Sequence, residues 1–138
     1  MGRIQGRDAL KRRLRALAGP KAREHLGKVL FAGAEAIAVE AQISISRGAV
    51  SGKQHKPAPE GSPPNYDSGH LSDSIEAVQI DDLESAVIVG AEYGEALEHG
   101  TSKMGARPFL RPARDKLRKK IRKEFSNAID RVARGGFD

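Results

Sequence analysis

The sequence predicts an α+β fold on three observations. Two long segments, 20–46 and 112–133, repeat apolar residues at helical spacing. Between them lie two short runs of strand character, Glu76 to Ile80 and Ser85 to Gly90. The acidic turn Asp81-Asp82-Leu83-Glu84 joins these runs as a hairpin. Helices at both ends with a strand pair between them are segregated α and β elements.

The first helix is short and basic. Leu10, Leu14 and Leu17 recur at helical spacing among Arg and Lys from Ile4 onward, and Gly19-Pro20 ends the pattern. Proline is tolerated in the first helical turn, so Pro20 also opens the next helix, to about Ser46. There Leu26, Val29, Leu30, Ala34, Ile37, Ala38 and Ala41 lie close to one face, with Glu35 and Glu40 off it. The alanines and Gly33 allow a sheet or a neighbouring subunit to approach closely. Gly27 and Gly33 each cost the helix ~1 kcal/mol relative to Ala.

Residues 47–69 hold nearly every kind of turn former and almost no apolar periodicity, which predicts a long Pro/Gly-rich loop. Pro57, Pro59, Pro63 and Pro64 bias it toward extended geometry. A turn then leads into a short helical segment near Ser68 to Ile75, with Asp67 or Ser68 as its cap. Of the two strands, Ala86-Val87-Ile88-Val89 is continuous enough to be buried. Tyr93 to His99 reads as a short helix or turn that Gly100 stops. The last helix begins near Pro112 and carries Ala113, Leu117, Ile121, Phe125, Ala128 and Val132 as its apolar stripe. Lys116, Arg118, Lys119, Lys120, Arg122 and Lys123 occupy its other side, and residues 134–138 form a flexible tail.

The 138 residues, 38% of them hydrophobic, suit a single domain with a small core, and the shortage of aromatic residues makes that core aliphatic. The absence of Cys excludes disulfides and thiolate metal sites and fits a reducing compartment. No apolar run reaches the ~20 residues of a membrane span, and no secretory signal core follows the basic N-terminus, so a cytosolic origin is the default. The net charge of +6 conceals a segregation of sign. Residues 1–30 carry nine Lys or Arg and two acids, 31–70 three and four, 71–100 none and eight, and 101–138 twelve and four. Such a split suits self-assembly, the acidic face of one copy meeting the basic helix of the next, and equally describes ordinary solvated helix faces.

Catalytic chemistry finds little support. Gly48 to Gln54 resembles a phosphate-binding loop only superficially: its glycine spacing is one residue short, no Ser or Thr follows Lys53, and it follows a helix rather than a strand. Glu95 and His99 would share a helical face, with Glu92 or Glu98 nearby, but acid–His pairs at this spacing are ordinary surface interactions far more often than metal sites. The expectation is a protein that is not an enzyme and holds no cofactor or metal. The final helix is the best nucleic-acid candidate, yet it lacks interleaved aromatics for stacking and zinc ligands. Nonspecific contact with phosphate needs no motif and stays as the alternative function.

Two motifs carry a resemblance. The first runs Asp67, Ser68, Gly69, Leu71, Ser74 and Ile75; the second, more specific, runs Tyr93, Glu98, Gly100, Thr101, Pro108, Phe109, Leu110, Arg111, Pro112 and Ala113. In their order, between an Ala-rich helix and a final amphipathic one, they resemble the phage morphogenesis family typified by gene product ten of a lambdoid coliphage. The similarity covers about residues 20–130. His99 stands where the family usually has an aromatic, and Ser68 where threonine is common. The resemblance implies helices packed on a small, mainly antiparallel sheet. It also implies a head-tail joining, neck or tail-completion component of a phage or prophage, assembled in the host cytoplasm and carried in the virion. Its expected partners are further copies of itself in a ring around the DNA channel and neighbouring connector and tail proteins. DNA in that channel is a further candidate; a membrane is not.

The expected structural residues are Gly69, Leu71, Ile75, Tyr93, Gly100, Thr101, Pro108, Phe109, Leu110 and Pro112. Phe109 and Leu110 should anchor against the sheet with Tyr93 packing nearby. The expected interface residues are basic Lys103, Arg107, Arg111, Lys119, Lys120 and Lys123, with Met104, and acidic Glu92, Glu95 and Glu98. Thr101 to Arg107 has little reason to be buried and is the candidate contact loop.

Overall fold

The computed structural model of the chain describes residues 6–46, 61, 70–103 and 105–135. The predicted loop therefore lies outside the described residues except for Gly61, as do Gly69, the two proposed caps Asp67 and Ser68, and the phosphate-loop lookalike.

Helix α1 runs Arg7–Ala18 and helix α2 runs Pro20–Ser46. The break between them is one residue wide: Gly19 takes an extended conformation and Pro20 opens α2. After the four-residue α3 (His70–Asp73), strands β1 (Ile75–Asp81) and β2 (Glu84–Val89) form an antiparallel hairpin around Asp82 and Leu83. The pairing runs from Ile75↔Val89 to Asp81↔Glu84, with an irregularity between Gln79 and Asp81 that leaves Ile80 out of register. Helix α4 (Gly94–His99) follows, and α5 (Leu110–Ala133) closes the chain. The fold is α+β, its sheet consisting of these two strands among the described residues.

Helix α2 is the central element, packed against the hairpin on one side and against α5 on the other. It runs antiparallel to α5, because Ala22 and Leu26 near its start meet Ala128 and Val132, while Ala38, Ala41 and Ile45 near its end share a cluster with Ala113. That second cluster also takes Leu71, Ile75, Ala91 and Phe109, and so joins α3, β1 and the start of α5 to α2. More than half of the buried apolar residues among those described are alanine. A core built this way depends on close backbone approach rather than on large side chains.

Glycine provides the closest approaches. A Cβ on Gly27 would strike the carbonyl oxygen of Asp82 in the hairpin turn, and one on Gly33 would lie 3.0 Å from Cγ2 of Ile121 on α5. Helix α2 stays unbroken through both positions despite their low helix propensity. Glu40, off the apolar face as expected, reaches across the seam to Lys116 at 2.7 Å.

Helix α1 has no buried residue. Its leucine stripe does not face inward as a unit: Leu17 packs beside the Ala22–Val132 cluster, whereas Leu10 and Leu14 are each 57% exposed.

Candidate assembly surface

The segment joining α4 to α5 is organised by one carboxylate. Glu98 is buried, and its two oxygens accept three backbone N–H groups at the start of α5: Phe109 at 2.7 Å, Leu110 at 3.0 Å and Arg111 at 2.8 Å. A helix start leaves four amides without intrahelical partners. Glu98 satisfies three, and the fourth position is Pro112, which has no N–H. The negative charge also sits at the positive end of the helix dipole. This explains why α5 begins at Leu110, ahead of the predicted Pro112, with no side-chain cap from Phe109.

The intervening chain is closed at its base. Gly100 ends α4 at φ 78°, and its N–H bonds to the Ala96 carbonyl at 2.8 Å. Arg107 N–H returns to the Leu97 carbonyl at 2.6 Å, while Gly61 N–H bonds to the Ala106 carbonyl at 2.8 Å. Of the expected contact loop, Thr101, Ser102 and Lys103 are exposed, but Gly105 to Pro108 are half-buried and Met104 lies outside the described residues. Lys103 N–H bonds to the Thr101 hydroxyl at 3.3 Å, so the exposed part is a small local turn.

Several expected residues therefore change role. Glu98 is an internal cap and not an exposed acid. Phe109 is fully buried and Leu110 packs beside it, but Tyr93 is 44% exposed, with its ring centroid 6.0 Å from that of His70 rather than against Phe109. Leu71 and Ile75 are in the core. Glu92, Glu95, Arg111, Lys119, Lys120 and Lys123 are all exposed. Because Ala113, Ile121, Ala128 and Val132 point inward, Lys119 and Lys123 fall on the far side of α5 at 100° per residue.

A groove of about 580 Å³, with no direct sign in the sequence, lies between β2 and α5. Its floor is apolar, from Leu30, Ala34 and Ile37 of α2 and Leu110 and Ile121 of α5. Consecutive residues Leu83 to Val87 form one wall, which presents the edge of β2 as well as its face. Arg111 and Arg114 stand on the opposite wall, and Arg118 and Arg122 continue that row at intervals of four residues. This row was visible in the sequence only as part of the general basic character of α5.

No group of His, Asp or Glu among the described residues is placed to hold a metal ion, so Glu95 and His99 form no such cluster. No helix among them is long and apolar enough to cross a membrane.

A family model described as "Bacteriophage HK97-gp10, putative tail-component" matches residues 8–100, more than half of the chain. The chain belongs to the HK97-gp10-like family. It is accordingly a phage structural protein of the tail-component class. The HK97-gp10-like match ends at Gly100, so the run from Pro108 to Ala113 carries its resemblance by motif alone. Comparison with curated proteins gave no match, and comparison with solved structures gave none.

Proposed function

We propose that this HK97-gp10-like protein is a neck or tail-completion component that assembles as a ring of identical copies between head connector and tail tube. Its role is mechanical, docking one virion part to another, and no residue is assigned to catalysis. The observation that carries the reading is the charge segregation of a family member in its folded form. Lys119, Lys120 and Lys123 stand exposed on α5 with no ion pair among the described residues, while the stretch 71–100 has eight acids and no Lys or Arg. A closed ring uses a heterologous interface, one patch meeting a different patch on the next copy, and opposite charges supply such a pair.

Charge reversal tests this directly. The triple variant Lys119→Glu, Lys120→Glu, Lys123→Glu should keep its helical circular dichroism and lose oligomer mass in light scattering. An unchanged mass would remove the lysine face of α5 from the interface. The same lysines also suit nonspecific binding to DNA in the channel, which predicts duplex affinity falling steeply with salt. Absence of binding at low salt would dispose of that second role.

A further inference from the structure

The hairpin is an incomplete sheet. Two strands are marginal on their own, and among the described residues each has one edge without a partner strand. At the start of β1 the edge is partly covered, since Gln42 Nε2 donates to the Ile75 carbonyl at 3.1 Å. Farther along, Glu76, Gln79, Ile80 and Asp81 are exposed. The free edge of β2 opens instead onto the groove beside α5, where the Ser85 hydroxyl is buried without a hydrogen-bond partner among the described residues. Ile80 at 59%, Leu83 at 43% and Ile88 at 44% exposure leave apolar surface on the hairpin uncovered.

We propose that the groove between β2 and α5 receives the β1 edge of a second copy's hairpin, so that neighbouring hairpins join head to tail into one antiparallel sheet. The inference rests on the ring reading and adds to it a contact on the groove side of α5, apart from the one made by Lys119, Lys120 and Lys123. Charge complementarity selects the occupant: the incoming edge carries Glu76 and Asp81, and the receiving wall carries Arg111 together with Arg114, which also pairs with Asp115 on its own helix at 3.1 Å, while Asp82 is held by Arg23 of its own chain. Apolar matching agrees, since Ile80 of the incoming hairpin would meet a floor of Leu30, Ile37 and Ile121. Main-chain hydrogen bonds would supply the rest of the affinity, as in other strand-addition contacts. Rotation about an axis along the strands preserves strand direction. The neighbour's β1 would therefore run antiparallel to β2, as the chain's own β1 does, and the contact could repeat around a ring without a two-fold axis.

The chain has no cysteine, which makes cross-linking clean. Full-length Gln79→Cys and Glu84→Cys variants, each exposed at its position, would be mixed in equal amounts and treated with a short bismaleimide. Oligomer mass would be read in parallel. The expected result is a Gln79–Glu84 cross-link in the mixture and no cross-linked dimer from either variant alone. Hydrogen exchange should show some β2 amides slowing by about tenfold between dilute and assembled protein. Assembly without the mixed cross-link and without β2 protection would overturn the edge contact and leave the ring standing. A Glu84–Glu84 product would overturn it in favour of a two-fold pairing. A chain that stays monomeric at every concentration would overturn the ring and the edge contact together.

Discussion

A carboxylate eleven residues upstream of a helix can cap it only where the chain between them folds back, and Glu98 shows what this requires. Gly100 turns the chain, Arg107 ties the return to Leu97, and three amides converge on one side chain. Replacing Glu98 with Ala would leave three amides without acceptors, that of Phe109 in a buried position. The expected cost is about 2–4 kcal/mol, seen as a Tm lower by roughly 10 °C. Glu95→Ala, one turn away and exposed, should change stability by no more than about 0.5 kcal/mol. Equal effects from the two variants in thermal denaturation would contradict the capping role. Composition could not separate these residues. Glu92, Glu95 and Glu98 look alike in an acidic stretch, and only the return of the chain puts one of them inside. Tyr93 fails in the opposite sense, because an aromatic beside a buried motif reads as core, yet its ring lies outside against His70.

At the scale of elements, helices were the most legible part. The bounds of α2 follow from Gly19-Pro20 and from its apolar repeat, and both strands fall within one residue of their expected positions. The exception at α5 has a stated cause, the amides held by Glu98. Which side of α1 faces inward was not legible. Its leucines form the more apolar stripe, but the α2–α5 seam against which it packs is already filled by Ala22, Leu26, Ala128 and Val132. Helix α2 gives the sharpest prediction of this kind. Propensity alone says Gly27→Ala should stabilise the helix by about 1 kcal/mol. The Asp82 carbonyl occupies the space a methyl group needs, so the variant should instead lose about 1–3 kcal/mol in urea unfolding. A stabilised variant would mean that the hairpin turn gives way without cost.

For the whole molecule, segregated charge becomes segregated surface. Among the described residues, the exposed acids of the middle stretch lie on α3, on the hairpin and around α4, bases lie along α5, and the ion pair of Glu40 with Lys116 joins α2 to α5 at the seam. Exposed pairs of this sort are worth ~1 kcal/mol or less, so the fold does not depend on them. Charge changes on α5 should therefore alter assembly far more than stability, and the lysine-reversed variant should unfold within about 1 kcal/mol of the parent. A phage structural role was legible through motif order. The groove beside β2 was not, because its walls come from four separate elements.

The Glu98 cap also bears on where this protein can be divided. The family match stops at Gly100, which invites treatment of residues 101–138 as an appendage. Removing them would strip the donors from an interior carboxylate and uncover the side of α2 that holds Ala22, Leu26 and Gly33. A chain cut after Gly100 should fail to show a cooperative unfolding transition, whereas one cut after Arg134 should retain it. The limit of recognisable ancestry and the limit of the cooperative unit are then two different boundaries. The carboxylate that bridges them is the last but two residues of the matched segment.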